Sequence, residues 1–519
     1  MFFFFIFFPF ILFSESWAEK TLGQMTVDQK IGQLFAAPFC PMRGEDHQED
    51  WERLMRDLCI GNAIVKHSDP LTQVRKLNRL QSKAPIPLLI SADAEWGLAM
   101  RMQDTIAFPK NRTLGEIEDM TLLYRLGAEI GRQAKRVGIH LNLAPVADVN
   151  TNPANPIIGM RSFGEDPRRV ASCVRAMVSG MQSAGILACA KHFPGHGDTS
   201  VDSHRALPVL EHSRERLDAV EFVPFREAID SGVVAIMTGH LLAPAIDPRR
   251  PATLSSIVLT GILRKELGFD GLIVSDALNM KALSQTPEEA ALFAMIAGCD
   301  LLLYGDHLAP NIDQIIREDV PRAWAALKEG VSEGMISKER LDASVLRILR
   351  AKEQLGLHLS SQVSDVGLFE DLHTDEAALL KKTLFRQAIA ANKWPFLPER
   401  TAYLALGCKS LPNAPFTSFF GSLDMDEEAS RELAEKLKSF DAVVLGIHAL
   451  GPKDKNYGVS PACLFLIRQF PEALLCHFAT PYALPFFSHP GPLCIAFEND
   501  PEAVNAVFER LLPDISALP

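Results

Sequence analysis

Two residues, Asp202 and His204, end a stretch already crowded with ionisable groups. Lys191, His192, His196 and Asp198 precede them, and Pro194, Gly195 and Gly197 fix the path of the chain. In an extended segment residues i and i+2 project to the same side. A carboxylate at 202 is therefore able to hold the tautomer and aim of an imidazole at 204, and to raise its basicity. An imidazole held this way exchanges protons near neutrality, because its ordinary pKa is about 6.5. The plainer alternative is a solvated loop with incidental charges.

A second carboxylate, Asp276, stands in Ser275-Asp276-Ala277-Leu278-Asn279-Met280, directly after an apolar run at 271–275. At the end of a buried strand, such a group can attack an electrophilic carbon or stabilise a developing cation. The ordinary alternative is a helix N-cap. Asp93 and Glu95 flank Ala94 just before Trp96, and Arg101 follows. Acids beside an indole suit a sugar, with carboxylates for hydroxyls and a ring face for C–H surface; Trp96 is as readily a core residue. Arg161, in Met160-Arg161-Ser162-Phe163-Gly164, adds a fixed cation. His192 and His196 are four apart, but Pro194 and Gly195 forbid a regular helix between them, and Lys191 repels a cation. No metal and no cofactor is expected. The chain has no GxxxxGK[ST], no GxGxxG after a strand and no GxSxG elbow.

These residues need a scaffold that presents loops from strand ends. Eight apolar runs lie at 31–37, 62–66, 87–91, 140–145, 186–190, 233–238, 272–275 and 300–304. Amphipathic stretches at 122–136, 168–184, 216–231 and 287–297 separate several of them. Strands alternating with helices mean parallel βαβ units, and eight of them predict an α/β fold of the TIM-like (β/α)8 barrel type. The uneven spacing also admits an open doubly wound sheet. Leu341, Val345, Ile348 and Leu349 share one face of a helix that ends near Gly356. Residues 19–357 are thus expected to form the barrel, 358–375 a linker, and 376–519 a smaller α/β/α sandwich. Strands in the last are expected at 401–406, 442–446, 473–478 and 493–497, with a helix at 427–439.

The net charge of -12 argues against a nucleic-acid partner. No apolar run of about 20 residues follows the N-terminus, so no span is expected in the mature protein. Residues 2–13 are almost purely apolar, and Ser16 and Ala18 offer small residues for a signal peptidase, although no Lys or Arg precedes them. A signal peptide over 1–18, cut after Ala18, is expected, which makes the protein periplasmic or secreted; without it the protein is cytoplasmic. Nine cysteines with no CxxC read as buried, reduced thiols.

With these residues in hand, the chain closely resembles glycoside hydrolase family 3, in its bacterial β-N-acetylglucosaminidase (β-hexosaminidase) branch. The likeness covers roughly residues 20–357 and rests on three runs. They are Lys191-His192-Phe193-Pro194-Gly195-His196-Gly197 with Asp202-Ser203-His204, then Ser275 to Met280, and Arg161-Ser162-Phe163-Gly164-Glu165-Asp166-Pro167. The resemblance implies Asp276 as nucleophile and His204 as general acid/base paired with Asp202. It implies a glycone pocket of Asp93, Arg101, Arg161, Lys191 and His192. The implied activity is that of a retaining exo-β-N-acetylglucosaminidase. It would remove terminal non-reducing N-acetylglucosamine from peptidoglycan fragments or chitin oligosaccharides through a covalent glycosyl-Asp intermediate.

Three alternatives stand beside it: a phosphorylase using phosphate as acceptor, a β-glucosidase, and a sugar-binding protein without catalysis. The segment Ala94-Glu95-Trp96-Gly97 departs from the Gln-Glu-Gly-Gly start of many relatives, so the far side of the pocket is expected to differ. The C-terminal region resembles the sandwich of some relatives only loosely, and a structural or oligomerising role is expected for it.

Overall fold

A computed structural model describes residues 15–305, 311–411, 414–451 and 453–512. Its first sheet has eight strands, all parallel to their neighbours: β1 (Phe35–Phe39), β2 (Asn62–Val65), β3 (Leu89–Ala92), β4 (Leu141–Asn142), β5 (Leu187–Phe193), β6 (Ala235–Thr238), β7 (Leu272–Val274) and β8 (Leu302–Leu303). The order runs β7-β6-β5-β4-β3-β2-β1-β8. A parallel bridge between Val274 and Leu301 joins the two ends into a barrel. Every residue of these strands is buried, as expected where helices cover the outside and side chains fill the inside.

The helices follow from amphipathic spacing and capping. Asp119 caps Met120–Arg136, which turns Leu122, Leu123, Leu126, Ile130 and Ala134 inward. Asp166 caps Pro167–Ser183 with Pro at the first position. Gly180 lets these two helices touch: a Cβ there would lie 2.2 Å from the Tyr124 carbonyl oxygen.

Two expectations need correction. The run at 31–37 is not one strand: Thr26 and Gln29 form a capping box that starts the helix Val27–Gln33, and β1 begins only at Phe35. Apolar residues at the helix end and the strand start merge in sequence, which hides the break. Conversely, β5 continues through Lys191 and His192 to Phe193, so those side chains sit on a strand and the loop starts at Pro194.

After the helix Lys338–Gln354, residues 358–375 lie along the barrel, tied by Asn78 to Val363 and by Arg136 to Asp371. They include a short helix, Leu368–Leu372. The second sheet has β9 (Ala390–Ala391), β10 (Thr401–Leu406), β11 (Thr417–Gly421), β12 (Ala442–Ile447), β13 (Leu474–His477) and β14 (Leu493–Ile495), in the order β11-β10-β12-β13-β14-β9. Only β9 is antiparallel. Alternation along β10 feeds two cores: Ala402, Leu404 and Leu406 meet Leu437 and Leu466 on one face, and Tyr403 and Ala405 meet Val507 and Phe508 on the other. That is a three-layer sandwich.

Among the described residues no helix is long and apolar enough to cross a membrane. The apolar leader at 1–14 lies outside the described residues. The bond after Ala18 lies in the first turn of the helix Trp17–Gln24, which is capped by Ser16, and Ala18 is fully buried.

Candidate active site

The carboxyl ends of the barrel strands enclose a cavity of about 300 Å³. Asp93, Arg101, Arg161, Lys191, His192, His204 and Asp276 all line it. Asp202 stands behind His204 and lines an outer groove instead.

One wall is a buried charge network. Lys191 Nζ, from β5, donates to Asp93 Oδ1 at 2.9 Å and pairs with Glu95 Oε1 at 2.9 Å. Arg101 Nη2 holds the other Asp93 oxygen at 2.8 Å. Arg161 grips Glu95 with two parallel bonds, Nε to Oε2 at 3.0 Å and Nη2 to Oε1 at 2.7 Å. Burial alone would raise the Glu95 carboxyl, but the Arg161 and Lys191 charges outweigh it and hold the group at about 2. Burial would likewise lower Lys191, and the Asp93 and Glu95 carboxylates overcome it, raising the ammonium above its usual range. Asp93, Glu95, Arg101, Arg161 and Lys191 all line the cavity.

Beside it, the fully buried Asp148 fixes His192. Its Oδ2 accepts from His192 Nδ1 at 2.7 Å, and its Oδ1 accepts the backbone N–H of His192 at 3.1 Å and of His196 at 2.7 Å. With Nδ1 donating, the Nε2 of a neutral His192 is an acceptor.

Asp276 follows β7 by two residues. Its Oδ1 accepts from the Ala277 N–H at 2.7 Å, and Ser275 Oγ accepts from Leu303 N at 2.9 Å, which fixes the strand end against β8. Beneath it the buried His240 donates from Nε2 to the Ala277 carbonyl at 2.9 Å. The N-cap alternative is corrected here: the following helix, Pro287–Ala297, is capped by Thr286.

His204 lines the same cavity; its Nδ1 meets Asp202 Oδ1 at 2.8 Å, and the same oxygen accepts the His204 backbone N–H at 2.9 Å. Burial works to raise the Asp202 carboxyl; these bonds and the His204 and Arg205 charges outweigh it, so it lies below its ordinary value. With Nδ1 held by Asp202, Nε2 is the ring nitrogen through which an imidazole so placed can exchange a proton.

Residues 26–351 match the family described as "Glycosyl hydrolase family 3 N terminal domain". The chain belongs to glycosyl hydrolase family 3. It is 34% identical over 364 residues to a β-N-acetylglucosaminidase/β-glucosidase of Cellulomonas fimi, covering 68% of this chain and 62% of that protein. It is 34% identical over 304 residues to β-hexosaminidase A of Pseudoalteromonas piscicida, covering 55% of this chain and 50% of that one. The chain thus spans between half and two thirds of these curated relatives. A solved family 3 β-N-acetylglucosaminidase from Paenibacillus sp. str. FPU-7 superposes with a TM-score of 0.80 at 32% identity, covering 94% of this chain and 96% of that one.

Sequence reasoning missed three features of this family 3 site. Asp148 stands in Ala147-Asp148-Val149-Asn150, just beyond the fourth strand, and the strand-end logic that singled out Asp276 would have found it. Glu95, noted only as an acid beside an indole, anchors two cations. The third is the outer groove of about 1250 Å³, which shares Pro156, Ile157 and Arg161 with the inner cavity. Its far wall is 448–451, 478–482 and 497–500, segments that follow β12, β13 and β14. Trp96 lines this groove, with Lys110 over its ring, rather than the inner cavity. Glu498 ties the two halves, accepting from Lys110 N at 2.7 Å and Thr113 Oγ1 at 2.5 Å. The sandwich therefore reaches the rim of the cavity.

Proposed function

We propose that the protein is a retaining exo-β-N-acetylglucosaminidase that releases terminal non-reducing N-acetylglucosamine from a glycan. The observation that carries this reading is that Asp276 and His204, the latter bonded to Asp202, line one small cavity. About 300 Å³ is the low end for a small-molecule site, enough for one sugar unit rather than a chain, which argues for exo action. The wall of Asp93, Lys191, Arg101 and Arg161, with His192, takes the sugar hydroxyls.

In the first step Asp276 attacks the anomeric carbon as its bond to the leaving oxygen breaks, and protonated His204 gives that oxygen its Nε2 proton. The carboxylate of Asp202 stabilises the imidazolium before transfer. In the second step neutral His204 takes a proton from water, the water oxygen bonds to the anomeric carbon, and the bond to Asp276 breaks. Free sugar leaves with both groups restored. The rest of the glycan lies in the outer groove, between the barrel rim and the strand ends of the sandwich. Ligands of open α/β sheets favour that edge. Fragments of peptidoglycan and chitin oligosaccharides are the substrates we assign. Export belongs to the same reading.

The test is hydrolysis of a chromogenic β-N-acetylglucosaminide beside the matching β-glucoside, with and without phosphate. Faster release from the first, giving free N-acetylglucosamine in both buffers, is expected. Sugar 1-phosphate as the main product would make the protein a phosphorylase; preference for the glucoside would overturn the substrate.

A further inference from the structure

The tip that carries Asp202 and His204 is exposed on nearly every side: Val201, Arg205 and Ala206 face solvent, and Ser203 is the one buried residue of 201–207. A small polar side chain buried at the crest of an exposed turn needs a partner inside. Hydrogen bonds within the turn, accepted by Asp202 from His204, Arg205 and Ala206, hold the tip to itself. Ser203 reaches across it, its Oγ 3.0 Å from His196 Nε2.

The direction of that bond follows from the hydroxyl beyond it. Thr199 Oγ1 has one proton and gives it to the His196 carbonyl at 3.0 Å. In that arrangement it accepts from His196 Nδ1, 2.6 Å away. A neutral imidazole protonated at Nδ1 has an acceptor at Nε2, so Ser203 donates. Burial, only partly offset by the Asp148 charge, brings the His196 ring down to about 4, which keeps it neutral at working pH. The backbone of His196 is held by Asp148 Oδ1, the oxygen that also takes the His192 N–H. Asn155 Nδ2 adds bonds to the carbonyls of His196 at 2.8 Å and Gly197 at 3.1 Å. Gly197 itself lies against the Val149 backbone, so closely that a Cβ would sit 1.9 Å from its carbonyl oxygen. The root of the loop is thus rigid and continuous with the sugar-binding wall, and Ser203 ties the tip to that root through its bond to His196.

We propose that His196 and Ser203 form a latch that seats the tip carrying Asp202 and His204 over the cavity, with His196 acting as a positioning residue. The latch rests on the reading of His204 as acid/base, since it matters only by keeping that imidazole on aim. Asp148 makes the same carboxylate serve sugar recognition, through His192, and loop placement, through His196.

The experiment compares kcat/KM on an unactivated N-acetylglucosamine disaccharide with kcat/KM on a nitrophenyl N-acetylglucosaminide, whose leaving group needs little protonation. Losing one buried hydrogen bond lowers the seated population by roughly tenfold at most. Ser203→Ala is therefore expected to lose about that factor on the disaccharide and under about twofold on the aryl glycoside. Ser203→Thr, which keeps the hydroxyl, restores the disaccharide rate. His196→Leu reproduces the Ser203→Ala pattern. Adding Ser203→Ala to His204→Ala changes nothing further, because the latch acts only through the imidazole.

Unchanged disaccharide kinetics in Ser203→Ala overturns the latch, as does equal loss on both substrates or additivity with His204→Ala. If His204→Ala itself loses equally on both substrates, the acid/base assignment fails, and the latch with it. If His204→Ala keeps the leaving-group dependence while Ser203→Ala does not share it, the latch alone fails.

Discussion

Glu95 offers the sharpest quantitative test of the charged wall. Glu95→Gln keeps the shape and one acceptor but removes the charge shared by Arg161 and Lys191. A carboxyl held at about 2 instead of 4.5 favours its ionised form in the folded protein by about 3 kcal/mol. The side chain is 2% exposed, so solvent screening does not discount that figure. Because the folded value is depressed, the stabilisation is complete above 4.5 and fades as pH falls toward 2. Urea unfolding followed by tryptophan fluorescence should show Glu95→Gln less stable by about 3 kcal/mol at pH 7, with the gap about 1 kcal/mol narrower by pH 3.5. The same variant should raise KM, since both cations lose their shared anchor. A variant as stable as the parent at pH 7, or a gap that does not narrow in acid, would refute the account of this wall.

Four further outcomes are expected. Asp276→Ala should lower kcat at least about a thousandfold while leaving the thermal unfolding midpoint within a few degrees; a residual rate near the parent's would exclude it as nucleophile. Asp202→Asn replaces a charge-assisted bond to His204 with a neutral one, and should cost about tenfold in kcat/KM on an unactivated glycoside. Asp202 is depressed in the folded state, so its hold on the His204 segment should persist above its ordinary value of about 4 and fade as pH falls through the lower folded value, visible as faster proteolysis within 198–208. Asp93→Asn should raise KM and also destabilise by about 3 kcal/mol or more, because Lys191 and Arg101 lose a partner inside the protein; unchanged kinetics would remove Asp93 from the sugar site.

The barrel was legible because buried parallel strands read as apolar runs and strand-end acids as chemistry, which is how Asp276 and Asp93 stood out. Boundaries were harder wherever apolar residues bridged two elements, as at Ile31 to Phe35, or where polar residues belonged to a strand, as with Lys191 and His192. The runs at 401–406, 442–446, 473–478 and 493–497 marked four strands of the second sheet, while Thr417–Gly421 passed unnoticed because its side chains are partly exposed. Contacts between distant segments left no local trace. Nothing near Asp148 says that it bridges two histidines, and nothing after β12, β13 or β14 says that those turns border the barrel's cavity.

A covalent bond between sugar and Asp276 is the central chemical step. A fluorinated N-acetylglucosaminide that forms the intermediate quickly and releases it slowly, followed by peptide mass spectrometry, tests it. The expected result is one added glycosyl mass on the peptide containing Asp276, absent from Asp276→Ala. Labelling at another residue, or turnover with inversion and no trapped species, would contradict it.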